Sequence, residues 1–133
     1  MEEASITQVH HYNALQLAYI GDSVYDLMVR SYQLARHDAN VKTLHAACVA
    51  CVNAAAQAEA MRRLLPVLDS EEAVVVQRGR NTKPHSLPKH ADPADYAMAT
   101  ALEALFGFLH LNNKTQRMRE LFAICMSSQE KSN

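Results

Sequence analysis

The sequence predicts an all-α protein, folded as one domain over residues 1–133 with about five main helices. Three observations carry that reading. Only three glycines and four prolines interrupt the 133 residues, and helix formers dominate between them. Apolar positions recur at the three- and four-residue spacing of a helix face. The one strand-like run, Val74-Val75-Val76, has no second strand to pair with.

The first helix is expected from about Asn13 to Leu34, where Asn13 and Gln16 have the spacing of a capping box. Leu17, Ile20, Val24 and Leu27 fall within roughly 80° on its wheel and form the expected core stripe. The second helix is expected from about Val41 to Leu65, with Asn40 as cap and Pro66 just beyond its end. Its alanines favour one continuous, closely packed helix. The third is short, about Glu71 to Arg78, with Ser70 as cap. Gly79 to Ala91, carrying Pro84 and Pro88, is expected as a loop. Asp92-Pro93 places a cap residue and a first-turn proline at the start of the fourth helix, which runs to about Leu111. Asn112 or Asn113 marks the next boundary, and the fifth helix follows from about Lys114 to Met126. The polar tail from Ser127 to Asn133 is expected to fray.

Composition limits the function classes. A 49% apolar content fits a globular domain with a real core. The net charge of -1 gives no global attraction to nucleic acid, so polyanion binding would need a local basic patch. The sequence has no 18-residue apolar run that would span a membrane. Met1-Glu2-Glu3-Ala4-Ser5 lacks the basic and apolar regions of a signal peptide, so a cytoplasmic location is expected. Three cysteines, an odd number, fit reduced thiols. Cys48-x-x-Cys51, with His45 one turn earlier, lacks a second ligand pair at zinc spacing and reads as small buried thiols.

Two acids stand out. Asp22 follows Gly21 inside the first helix, where a glycine costs about 1 kcal/mol and needs a reason such as a close backbone approach. On that helix alone, Asp22 lies about 180° from the apolar stripe. With Asp26 four residues on, it reads as part of a solvated face. Glu103 is the only Asp, Glu, Lys or Arg between Tyr96 and Leu111, in a helix apolar on nearly every side. It is either a core acid satisfied by Thr100, Tyr96 or a lysine, or part of a site. Small residues surround both acids: Ala18 and Gly21 near Asp22, Ala99 and Gly107 near Glu103. Two helices packed closely there would bring the carboxylates together as a hard-oxygen site suited to Mg²⁺.

From Gln77 to His90 the chain reads QRGRNTKPHSLPKH, with Arg78, Arg80, Lys83 and Lys89 and no acid. The stretch reads either as an ordinary solvated loop or as a set of phosphate contacts.

Ala18-Tyr19-Ile20-Gly21-Asp22-Ser23-Val24-Tyr25-Asp26-Leu27 resembles the signature helix of the ribonuclease III family. Ala101 to Leu109, ALEALFGFL, resembles that family's second catalytic motif, and Arg78-Gly79-Arg80-Asn81 with the short length resembles its Mini branch. The resemblance implies an all-helical, ribonuclease III-type endonuclease domain that works as a homodimer. It implies Mg²⁺-dependent cleavage of double-stranded RNA, with Mn²⁺ able to substitute, leaving 5′-phosphate and 3′-hydroxyl ends. The Mini branch matures precursor 23S ribosomal RNA, and the resemblance admits a ribosomal accessory protein. By position, Asp22 and Glu103 match the family's catalytic and metal-binding acids. Ala18 and Thr100 stand where full-length relatives carry two more acids, a reduced set that the Mini branch shares. No room is expected for a separate double-stranded RNA-binding domain, so Arg78, Arg80, Lys83 and Lys89 become the expected RNA contacts. The rival expectation is a non-catalytic helical module, related to this family, that binds RNA or dimerises without cutting.

Overall fold

Asn13 opens the first helix as its sequence predicts. Its side chain accepts from the Gln16 amide at 2.8 Å, while the Gln16 side chain accepts from the Asn13 amide at 2.9 Å. The computed structural model describes residues 11–83, 87 and 89–131. The acidic N-terminal stretch, Pro84, His85, Pro88 and the last two residues of the tail lie outside the described residues. Seven helices occur in order, with no strand among the described residues. They are α1 (Ala14–Arg36), α2 (Val41–Val52), α3 (Ala54–Leu64), α4 (Ser70–Arg80), α5 (Pro93–Leu111), α6 (Thr115–Cys125) and the short α7 (Ser127–Lys131).

Four boundaries differ from expectation, each for a local reason. The alanine-rich helix is broken at Asn53, which ends α2 and caps α3. Its amide nitrogen donates back to the Val49 and Ala50 carbonyls, and its side-chain oxygen accepts from the Ala56 amide. Asp69, rather than Ser70, caps α4, in a capping box with Glu72. Helix α4 continues through Gly79 to Arg80, so the basic stretch begins on a helix and not in a loop. Gly79 is there for packing: a Cβ would lie 2.7 Å from Ala101 Cα on α5. The tail forms α7, where the Ser127 hydroxyl donates to the Ile124 carbonyl.

Helix α5 is the centre of the fold. From Met98 to Leu109 every residue except Glu103 is buried. Helices α1, α3 and α4 pack around it, α2 packs on α1, and α6 closes the side formed by α3 and α5. Tyr25 on α1 meets Phe106 on α5 and Phe122 on α6 edge-on, at centroid distances of 5.0 and 5.7 Å. Asn113 takes a left-handed backbone, φ 58°, in the tight turn from α5 to α6. All three cysteines are free and buried. No helix among the described residues is long and apolar enough to cross a membrane.

The face of α1 that meets the core is not the expected stripe. Ala14, Leu17, Ala18, Gly21, Tyr25, Val29 and Gln33 are buried, while Ile20 and Val24 are half-buried. Leu27 is 64% exposed. The small residues decide this orientation, because they let the α5 backbone approach. Asp22 consequently lies at the edge of the buried face and not opposite it.

Candidate active site

Gly21 and Gly107 make the site possible. A Cβ on Gly21 would lie 1.6 Å from the Glu103 carbonyl oxygen, and one on Gly107 would lie 2.0 Å from the Leu17 carbonyl oxygen. Neither position tolerates a side chain, so α1 and α5 cross in backbone contact. Asp22 is the next residue after one glycine and Glu103 lies one turn before the other. Their carboxyl groups therefore meet at the margin of this crossing, with Asp22 exposed and Glu103 half-buried.

The electrostatics of the pair are unusual. Burial, then the hydrogen bond that protonated Glu103 donates to Asp22, then the Asp22 charge push the Glu103 carboxyl up from its ordinary 4.5 to about 8. Among the described residues no cation offsets these effects.

The residues around the pair leave it a pair. Ala18 is buried against the core, and the Thr100 hydroxyl donates to the Tyr96 carbonyl at 3.0 Å. Thr100 bonds its own helix and not Glu103. Asp26, on the same side of α1 as Asp22, is taken up by Arg30 at 2.8 Å. Among the described residues no group of three or more His, Cys, Asp or Glu side chains converges as a metal centre. Two carboxyls held together, one kept from ionising by burial and then by its neighbour, nonetheless fit a divalent ion that keeps most of its waters.

The basic residues lie elsewhere on the surface. Arg78 donates to the Tyr12 carbonyl at 3.0 Å and so ties α4 to the segment before α1. Arg80 lines a groove together with the end of α3 and the start of α5. Lys83 and Lys89 are exposed. None of the four acts on the Glu103 carboxyl, whose position is set by burial and Asp22.

One buried acid escaped the sequence reading. Glu72 on α4 is fully buried and accepts two bonds from Arg117 on α6, at 2.9 and 2.8 Å, and one from the Asp69 amide at 3.0 Å. The Asp69-x-x-Glu72 capping box was its available signal, but the arginine lies 45 residues away.

Comparison with known proteins agrees with this architecture. The ribonuclease III domain family matches residues 15–114. A Mini-ribonuclease 3 from Symbiobacterium thermophilum is 45% identical over 107 residues, covering 80% of this chain and 82% of that one. A Mini-ribonuclease 3 from Clostridium tetani is 37% identical, covering 99% of this chain and 88% of its own. A crystal structure of a Fusobacterium nucleatum protein superposes with a TM-score of 0.79 at 32% identity, covering 86% of this chain and 93% of that one. The chain belongs to the ribonuclease III family, a family of endoribonucleases.

Proposed function

From that membership as premise, we propose that the protein cleaves double-stranded RNA with the help of Mg²⁺, acting on precursor 23S ribosomal RNA in the cytoplasm. The observation that carries the reading is the acid pair, Asp22 and Glu103, pressed together across a glycine crossing with no cation among the described residues to satisfy it. A structural acid so placed would be costly; a pair awaiting an ion has a use for that cost.

Asp22 and Glu103 would hold Mg²⁺, with Mn²⁺ able to replace it. The ion would supply charge neutralisation at the scissile phosphate and would activate water. The chain's own residues do the remaining work. Gly21 and Gly107 fix the separation of the two acids. Glu103 gives up its proton when the ion arrives, and Asp22 presents its carboxylate from the exposed side. Arg78, Arg80, Lys83 and Lys89 hold phosphates and read duplex shape rather than sequence.

The same reading includes a homodimer, with one site for each strand. Supporting it is an apolar face on α1 that the described residues leave largely exposed: Tyr19 is 78% exposed, Leu34 66% and Leu27 64%. A ribosomal protein that presents the precursor is compatible with this arrangement.

The test is Glu103→Gln, which keeps the shape and removes the charge. Cleavage of duplex RNA should fall by about a thousandfold or more while the helical spectrum is retained. Unchanged cleavage rejects the assignment. The second reading, an RNA-binding or dimerisation module without activity, draws on Ala18 and Thr100, both turned inward and unable to add carboxylates. Binding of duplex RNA without cutting, at every Mg²⁺ concentration, would establish it.

A further inference from the structure

We propose that the groove between the end of α3, the last turn of α4 and the start of α5 seats one unpaired nucleotide of the RNA, with its base on the groove floor and its phosphate on Arg80. The inference rests on the RNA-cleaving reading above. The groove is open and encloses about 380 Å³. That falls in the lower part of the roughly 300–1,000 Å³ range of small-molecule sites.

Its lining divides into three kinds of surface. The floor is apolar, formed by Leu65, Ala97 and Met98. Small Ala97 leaves that floor flat enough for a ring to lie on. The rim carries an amide pair: Gln77 Nε2 donates to Asn81 Oδ1 at 3.1 Å. This bond orients both side chains and leaves an acceptor, Gln77 Oε1, and a donor, Asn81 Nδ2, not used between them. A nucleobase edge carries both donors and acceptors and can pair with either group. The third surface is cationic. Arg80 lines the groove and its guanidinium pairs with no described residue. Arg62 faces it from α3 but is engaged by Asp95 at 2.9 Å and Glu59 at 3.3 Å. Arg80 is therefore the free cation, and Arg62 is a fixed wall.

A bare phosphate would use Arg80 and leave the apolar floor and the Gln77 acceptor idle. A paired base would have its edge occupied already. An unpaired nucleotide uses all three surfaces, and single-stranded or bulged positions are where RNA sequence can be read. The groove lies immediately before the segment bearing Lys83 and Lys89, so the strand would continue over further cations. Cutting by duplex shape alone gives little choice of site; a seated nucleotide next to the duplex supplies it.

The experiment is a chemical-shift titration of the full chain with adenosine 5′-monophosphate, with ribose 5-phosphate as the base-free control. The nucleotide should shift the amides of Gln77, Asn81, Ala97 and Met98. Ribose 5-phosphate should bind at least about tenfold more weakly, because it cannot use the floor or the amide pair. Asn81→Ala should weaken the nucleotide about three- to tenfold, the effect of one hydrogen bond. Equal binding of the two ligands overturns the proposal in favour of a plain anion site, and so does nucleotide binding that leaves these four amides unmoved. Cleavage of a fully paired duplex by the unaltered protein is measured alongside. Cleavage without nucleotide binding overturns the pocket and leaves the enzymatic reading standing. Nucleotide binding without cleavage supports the pocket and rejects the enzymatic reading.

Discussion

Glu72 and Glu103 are both carboxylic acids on helices, drawn away from bulk water, and the fold treats them in opposite ways. Burial would raise the Glu72 carboxyl, but hydrogen bonds from Arg117 and the Asp69 amide, with the Arg117 charge, hold it below its ordinary range. Every lone pair it needs to satisfy is met within the chain. Burial raises Glu103 as well, and its ionisable neighbour is a second acid, so it is pushed up to about 8. The difference separates an acid satisfied by a cation of its own chain from one whose ionisable neighbour is another acid. The more deeply buried of the two is the one held ionised, so the sign of the partner outweighs burial.

The sharpest way to break the comparison is to neutralise both acids. Glu103→Gln should reduce duplex cleavage by about a thousandfold and leave folding intact, whereas Glu72→Gln should act on stability. Initial rates and urea midpoints measured on the two variants should move in opposite combinations. If Glu72→Gln abolishes cleavage in a protein of unchanged stability, the division of roles fails.

Next in size is the crossing that creates the pair. Gly21→Ala places a methyl group within 1.6 Å of the Glu103 carbonyl oxygen, so the helices must separate. A loss of about 3 kcal/mol is expected, at the upper end of overpacking costs because the clash is with backbone. Denaturant unfolding reports it, and cleavage should drop in whatever fraction stays folded. A stable, fully active Gly21→Ala protein would mean that the two acids do not depend on this contact.

Arg117→Ala tests the other acid from its partner's side. It leaves Glu72 buried without its cation and removes the bond to the Val67 carbonyl. The cost should be about 2–3 kcal/mol, moderated because Arg117 itself is 31% exposed. The loss should shrink in the double variant with Glu72→Gln, since the uncompensated charge is then gone.

Smallest, and most diagnostic, are opposite responses to pH. Glu103 has a folded-state value above its unfolded one, so its protonated form suits the fold. In chelator, stability should decline as pH rises from about 4.5 towards 8, relative to Glu103→Gln. Glu72 is lowered, so its contribution is complete above about 4.5 and is lost as pH falls through its folded value. If Mg²⁺ is held by the Glu103 carboxylate as proposed, its apparent affinity should climb by up to about tenfold per pH unit below 8. Calorimetry in two buffers should detect the released proton. An affinity flat between pH 6 and 8 would remove Glu103 from the ion's ligands.

Much of this was readable in the residues because it is local. The Asn13–Gln16 box, the Asn40 cap and the Asp92-Pro93 start depend on atoms within a turn of one another, and each appears where expected. The Asn53 break is also local, but alanine propensity on both sides outweighed one asparagine. Gly79 reads as a helix terminator until Ala101 is seen against it, and the tail reads as frayed until it is seen to close as α7.

The sequence by itself determined an all-helical chain, the order of its helices and the identity of two acids surrounded by small residues. Periodicity, capping and side-chain volume are properties of neighbours along the chain, so they needed no fold. Only the tertiary structure decided which face of α1 turns inward. An apolar stripe of Leu17, Ile20, Val24 and Leu27 competed with a flat path of Ala14, Ala18 and Gly21, and backbone contact with α5 favoured the flat path. That choice moved Asp22 from the far side of its helix to the rim of Glu103. It also left Leu27 and Leu34 facing outward, and it fixed which buried acid has an arginine and which has only another acid. Close packing compares surfaces far apart in sequence, and no local pattern carries that information.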